Sequence, residues 1–354
     1  MDEMNIDGDN NVQIKSEGNV VSASGEGAIA AGGNITINSN IDHEIAKSLE
    51  EKLSLLESLL GEFMSEMDEE NKKLLAQKIT VVGKEMSSDR NLEFCPKKLL
   101  EIGNVSYFAG QMELAKGQYK QALKEFRQEN EIIGINVALR GLANIANSQG
   151  NYNQAATYYM ESYDLCVQHK LSHSLMNAIL GLGKTAEKKG DYYKAEEWNS
   201  KGYKISKLLG SRANQAKFLG NLGVVYAVNG KLKEASEALE SALLLKREEG
   251  DKYGEANTLL NLGNVSLKQK MLTAAKMFFE QSLLLRRELD DKTDSLADNL
   301  NNLGTINLMS GDLANAKKHL EEAAKIYQNI GNLSSYNQTM SMIESIRSNE
   351  DGRF

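Results

Sequence analysis

Cys166, His169 and His173 come closest to a metal-ligand set, because positions i, i+3 and i+7 share one side of a helix that runs that far. They fall short of one: Lys170-Leu171-Ser172 interrupts the helical pattern and a fourth ligand is missing. Ordinary surface histidines are the expectation, with no metal and no cofactor. Catalysis finds no better support. No Gly-rich phosphate loop follows a strand, no nucleophile elbow occurs, and His43, His169, His173 and His319 have no shared partner. The chain does hold a recurring series of amides and cations. The amides are Asn104, Asn144, Asn147, Asn177, Asn221, Asn257, Asn261, Asn264, Asn301 and Asn302. The cations are Lys97, Arg140, Lys184, Lys188, Lys217 and Lys268, set against Glu101, Glu187 and Asp298. An Asn amide offers donors and an acceptor at once, which suits the N–H and C=O of a peptide, and a lysine suits a carboxylate. The chemistry within reach is recognition of a peptide, provided that the fold puts these side chains on one wall.

The elements that would do so repeat. Aliphatic-then-small pairs stand at Ile102-Gly103, Leu142-Ala143, Leu182-Gly183, Leu222-Gly223, Leu262-Gly263 and Leu303-Gly304, with a period of 40 or 41 residues. Three residues before each aliphatic member stands another one (Leu99, Leu139, Ile179, Leu219, Leu259, Leu300), the i, i+3, i+4 face of a helix. Eight residues after it come Gly110, Gly150, Gly190, Gly230 and Gly311, where a helix must end and reverse; the fifth copy has Lys270 there. A second amphipathic stretch follows, marked by Ala115, Ala155, Ala195, Ala235, Ala275 and Ala316. Each unit therefore reads as helix, turn, helix, and a fixed period of this length means a solenoid. The Gly or Ala of the first helix is expected to face the Ala of the second, letting the axes approach to the near end of about 8–10 Å.

The Leu-Gly pair, the turn glycine, the alanine and a second small residue (Ala122, Ser162, Gly202, Ala242, Ser282, Ala323) together resemble the tetratricopeptide repeat over roughly Pro96 to Asn332. The family's usual unit is about 34 residues, so the longer unit here is similar to the branch typified by the LGN/Pins polarity adaptors and kinesin light chains. Tyr226 alone keeps the usual first-helix tyrosine, and the helix-breaking proline is absent, since Pro96 is the chain's single proline. The resemblance implies an all-α, right-handed superhelix of six units whose first helices line a concave wall, in a protein that is an adaptor and not an enzyme. It also implies that the Asn before the Leu-Gly pair contacts peptide, a place held by Asn221, Asn261 and Asn302. The expected groove comprises Lys97, Arg140, Asn144, Lys184, Lys188, Lys217, Asn221, Asn257, Asn261, Asn264, Lys268, Asn301 and Asn302. Repeats four to six are expected to hold a partner segment of acidic character, while Gly141 and Gly181 imply that the first half of the groove contacts something different or nothing. Bland alternatives remain: a solvated helix face, or a regulator switched by a groove-bound peptide or ligand, like the bacterial quorum regulators built from the same repeats.

Outside the array the chain changes character. Residues 42–92 are helical, with Leu49, Leu53, Leu56, Leu60, Phe63 and Met67 stepping as in a coiled-coil seam; the helix either folds back as a cap on the first repeat or self-associates. Residues 1–41 combine β-branched pieces such as Ile35-Thr36-Ile37 with Gly and Asn turns, which gives a β-prone segment. It resembles the Asn/Gly β-motifs that precede signalling domains in bacterial defence proteins. Three fates stay open: a flexible tail, a β element shared between copies, or a nucleating motif. A homo-oligomer would be built through residues 1–67. Residues 93–332 are the six repeats and 333–354 a closing helix and tail, with Tyr336, Met340, Ile343 and Ile346 on its apolar side.

Composition bounds the partners. With 41 Lys and Arg against 49 Asp and Glu the formal charge is −8, which argues against nucleic acid, as does a wall without aromatics beyond Tyr107 and Phe108. No apolar stretch reaches the length that spans a bilayer, and the Met1-Asp2-Glu3 start is acidic where a signal peptide is basic. Cys95 and Cys166 form no framework, so free thiols and a cytoplasmic location are expected.

Overall fold

The computed structural model describes residues 43–65, 69–87 and 92–350 other than 292, together with the backbone of five strands within residues 3–38. It divides into two compact units, Met1–Lys188 and Lys189–Phe354. In the first, β1 (Glu3–Ile6), β2 (Val12–Ser16) and β3 (Asn19–Ser22) form one antiparallel sheet in sequence order. β4 (Ala28–Ala31) and β5 (Ile35–Asn38) form a second with β6 (Leu92–Phe94), in which Ile35 is opposite Phe94. Strand β6 straddles the expected boundary at residue 92.

Between β5 and β6 lie α1 (His43–Ser65) and α2 (Glu69–Ser87), a hairpin of two helices where one continuous seam was expected. Leu56, Leu59, Leu60 and Phe63 of α1 join Leu75, Ala76, Ile79 and Met86 of α2 in one core with Leu99 and Ile102. Leu49, Leu53 and Met67 of the expected seam fall outside the described side chains. The array follows with α3 (Pro96–Phe108), α4 (Met112–Glu129), α5 (Ile132–Ser148), α6 (Tyr152–Gln168) and α7 (Ser172–Lys189). Pro96 sits in the first turn of α3, where its missing N–H costs nothing.

The second unit is a stack of helices: α8 (Tyr192–Leu208), α9 (Arg212–Val228), α10 (Leu232–Glu248), α11 (Lys252–Lys268), α12 (Leu272–Glu288), α13 (Asp294–Met309), α14 (Leu313–Asn329) and α15 (Leu333–Glu350). In α15, Ile343 and Ile346 are buried against Ala316, Leu320 and Ala324 of α14. Asp191, Asp251 and Asp312 cap α8, α11 and α14 through the amides of Lys194, Gly254 and Asn315.

The turns obey one rule. Asn130, Lys170, Gly210, Gly250, Asp290 and Gly331 hold a positive φ between units, and Gly110, Gly150, Gly190, Gly230, Lys270 and Gly311 hold one within them. After every one of these but Gly190, the next residue is seen to donate its amide back to the final turn of the helix, as Lys231 N does to Tyr226 O at 2.9 Å, so the cap satisfies carbonyls a helix end leaves open. Lys270 takes the left-handed conformation at φ 62° without being glycine.

The expected Gly-to-Ala apposition is refined by the structure. A Cβ on Gly304 would lie 3.3 Å from the Ala316 carbonyl, but it meets the Leu320 side chain first, at 2.6 Å. Gly263 stands in the same way against Phe279, Gly223 against Leu239, and Gly103 against Tyr119. The small residue makes room for a large side chain four positions after the alanine, and Phe279 and Leu320 are fully buried there. Burial of side chains of this size contributes roughly 1.5–3 kcal/mol each.

Candidate functional site

First helices carry the predicted amides and cations, and the structure gathers nine of the thirteen groove residues into two pockets, one in each unit. In the first unit, Arg140 and Asn144 of α5 and Lys184 and Lys188 of α7 line a cavity of about 360 Å³ with Tyr107, Asn147, Tyr159 and Asn177. Its floor is Tyr159, which lies beneath Gly181: a Cβ at Gly181 would occupy the tyrosine ring. The Tyr159 hydroxyl donates to Asn144 Oδ1 at 2.5 Å, and Asn147 Nδ2 donates to Thr185 Oγ1 at 2.9 Å. Gly141 admits Tyr119 in the same manner, and the Tyr119 hydroxyl donates to Asn104 Oδ1 at 2.7 Å. The glycines expected to mark an idle half of the groove are therefore the positions that let a tyrosine under the helix. Burial raises the Tyr159 pKa to about 12, against the opposing pull of Arg140. Burial also lowers that of the half-buried Arg140. No carboxylate lines this pocket, and none of the described residues forms an ion pair with Arg140, Lys184 or Lys188.

The second unit's pocket, about 510 Å³, lies between α11 and α13 and is lined by Asn257, Leu260, Asn261, Asn264, Ser295, Asp298, Asn301 and Asn302. Four of its five amides are already engaged. Arg286 Nη2 donates to Asn257 Oδ1 at 2.6 Å, Asn302 Nδ2 to Asn264 Oδ1 at 3.0 Å, and Asn301 is paired with the Thr339 hydroxyl at 3.0 Å. Behind Asn257, Arg286 forms a fully buried ion pair with Asp291 at 2.5 Å. The Asp298 carboxylate accepts from the buried Tyr327 hydroxyl at 2.6 Å. Repeats four to six were expected to hold a partner segment of acidic character. No lysine or arginine lines the pocket, and its one charged lining residue is Asp298.

Four predicted residues lie in neither pocket. Asn221 Nδ2 donates to the buried Asn199 at 3.1 Å, Lys268 Nζ donates to the Ala227 carbonyl at 3.1 Å, and Lys97 and Lys217 are exposed elsewhere. Sequence reasoning missed Tyr159, Arg286 and Tyr327, which sit on second helices. Their signal was positional: Tyr159 is four residues after Ala155, and Arg286 and Tyr327 are four after the second small residues Ser282 and Ala323. Helix α6 ends at Gln168 with the exposed His169 as its C-cap, and the turn at Lys170 separates His173 from the buried Cys166, whose thiol accepts from Asn136 Nδ2 at 2.8 Å. Burial pushes that thiol's pKa up. Among the described residues, no group of three or more His, Cys, Asp or Glu side chains is placed to hold a metal ion, and no helix is long and apolar enough to cross a membrane.

Comparison with known proteins bears on the array. A family profile described as tetratricopeptide repeat matches residues 214–288 and 254–329. No curated protein matches the sequence. Among solved structures, BtubC (BKLC) from P. vanneervenii aligns at 20% identity over 62% of this chain and 92% of its own, with a TM-score of 0.55. The apo form of RapI aligns at 17% identity over 73% of this chain and 99% of its own, with a TM-score of 0.52. A signal transduction ATPase with numerous domains from Pyrococcus horikoshii, carrying a tetratricopeptide repeat sensor, aligns at 15% identity over 79% of this chain and 43% of its own, with a TM-score of 0.53. At these identities the likeness shows a shared fold.

Proposed function

We propose, from the tetratricopeptide repeat profile that matches residues 214–288 and 254–329, that the chain is a non-catalytic, cytoplasmic adaptor that holds a segment of a protein partner against its first helices. The observation that carries this reading is the first unit's pocket, in which Arg140, Lys184 and Lys188 converge with no lining carboxylate to balance them. Three uncompensated cations among three amides and two tyrosines fit the carboxylates of an acidic segment, since hydrogen bonds to charged groups are worth about 1.5–3 kcal/mol each. The acidic partner expected for repeats four to six is thus assigned to the first unit's pocket. The turns at twenty-residue intervals support placing the array with the long-repeat adaptors. Residues 1–67 would set the copy number and so the avidity of the groove.

The test is fluorescence anisotropy of the full chain with a labelled glutamate-rich peptide pool, in rising salt. Lys184→Glu with Lys188→Glu is expected to weaken binding by about a hundredfold, the equivalent of roughly 2.7 kcal/mol. Unchanged affinity would remove the reading. A second reading, a regulator switched by a groove-bound peptide, is favoured by the fold shared with a tetratricopeptide repeat sensor. It requires a change in helix protection from hydrogen exchange on peptide binding, where a plain adaptor shows none beyond the contact surface. The mass of the chain by light scattering, with and without residues 1–40, tests assembly through the N-terminal segment.

A further inference from the structure

The pocket between α11 and α13 differs from its counterpart in what it offers a ligand. Arg286 can only donate, so its bond to Asn257 turns the amide oxygen inward and leaves the Asn257 amino group free. Asn264 and Asn302 bond to each other at 3.0 Å, and whichever amide donates, the pair retains one free carbonyl and one free amino group. Asn261 makes no hydrogen bond with any described side chain, so both its donor and its acceptor are open. Asp298 is held in place by the Tyr327 hydroxyl, 2.6 Å away. Burial, and then Asp298 itself, push the Tyr327 pKa far above the ordinary tyrosine value, so that proton stays on and the carboxylate keeps its donor. A single hydroxyl satisfies one carboxylate oxygen and no charge. None of the described residues forms an ion pair with Asp298.

We propose that this pocket binds a cationic group, a lysine or arginine side chain or an amino terminus of a partner segment, with Asp298 as its counter-charge and the amide oxygens of Asn261 and the Asn264–Asn302 pair as further acceptors. The proposal rests on the reading of the first helices as the partner-binding wall, and it assigns the second unit a ligand of opposite charge to the first. A compact, fixed carboxylate ringed by neutral amides rejects an acidic group, because no donor charge is available to offset the like-charge repulsion. Arg286 and Tyr327 are positioning residues: they orient Asn257 and Asp298 without touching the ligand.

The test titrates the full chain, labelled with nitrogen-15, with acetyl-lysine methylamide and separately with acetyl-glutamate methylamide. Side-chain amide signals, assigned through Asn257→Ala and Asn261→Ala, are the readout. The lysine probe is expected to shift the Asn257, Asn261 and Asn302 signals, and Asp298→Asn to weaken that response at least tenfold while Asp298→Glu retains it. Equal shifts from both probes, no shift from either, or an Asp298→Asn variant that responds like the wild type would each overturn the proposal. Lys184→Glu with Lys188→Glu separates the two readings, since the lysine probe must still report on Asp298 even if that variant leaves acidic-peptide binding unchanged.

Discussion

The two pockets are built at the same repeat positions and have opposite character. At the residue before the aliphatic-small pair, the first unit has Gly141 and Gly181 and the second has Asn261 and Asn302. Where glycine stands, a tyrosine from the preceding unit's second helix slides beneath it, and its hydroxyl holds an asparagine, Asn104 or Asn144, on that unit's own first helix. Asparagine at the same place puts the amide itself on the wall. The helical hairpin fixes which positions face the pocket, and the residue types decide whether that pocket is cationic or acidic and amidic. Two recognition chemistries on one scaffold, as proposed above, would follow from side-chain choice alone.

The strongest way to break the comparison is to remove the support behind the second pocket. Asp291→Ala leaves the Arg286 guanidinium buried without its partner, and loss of one member of a buried pair costs about 3–5 kcal/mol. Urea unfolding read by hydrogen exchange should show α11 to α13 destabilised by that amount and α5 to α7 unchanged; a uniform loss would mean that the pockets do not stand on separate cores. Gly181→Ala asks the converse of the first pocket. A Cβ there occupies the Tyr159 ring, an overpacking cost of about 1–3 kcal/mol, and it should also weaken acidic-peptide binding by shifting Asn144. Gly263→Ala, against Phe279, is expected to cost as much with no effect on that binding.

The array was legible because its period rests on steric necessity: the Leu-Gly pairs and alanines recur wherever two helices must touch. The turns were half legible, since glycine announces a left-handed residue but Lys170, Lys270 and Asp290 take the same conformation without announcing it. That nine of the thirteen residues would line a pocket was legible, because first-helix positions map directly onto the wall. The charge of each pocket was not, for two reasons. Lys97, Lys217 and Lys268 lie apart from the cations that converge, and the partners that orient the wall (Tyr159, Arg286, Tyr327) belong to second helices. The break between α1 and α2 was missed because the apolar steps of residues 49–67 continue past the end of α1 at Ser65.

Titration sharpens the contrast further. Burial pushes the Asp291 carboxyl up, but the hydroxyl and amide of Thr293 and the Arg286 guanidinium outweigh it, so it titrates below the usual carboxylate range. A depressed folded pKa gives stability that is present above the unfolded value of about 3.9 and lost as pH falls through the folded one. The α11 to α13 region should therefore weaken in acid, and Asp291→Asn should flatten that limb. Tyr159, raised by burial to about 12, acts in the opposite sense. Its contribution is intact below the unfolded value of about 10 and lost between there and pH 12. Hydrogen exchange at α5 to α7 should report an alkaline limb that Tyr159→Phe removes.

The smallest effect concerns the turn that leads out of the second pocket's own first helix. Lys270 holds φ at 62°, where its Cβ costs about 1–2 kcal/mol relative to glycine, and the other within-unit turns, Gly110, Gly150, Gly190, Gly230 and Gly311, avoid that cost. Glycine gives back part of the gain through the greater freedom of its unfolded chain, about 0.4–1 kcal/mol. Lys270→Gly should accordingly stabilise the α11–α12 hairpin by about 0.5–1 kcal/mol, read as a higher denaturant midpoint at unchanged slope. Because Lys270 lines neither pocket, binding of both the acidic pool and the lysine probe should stay at the wild-type value. A change in lysine-probe affinity would mean that strain at this turn reaches Asn261 and Asn264 through α11, and the second pocket would then be tuned by its turn as well as by its side chains.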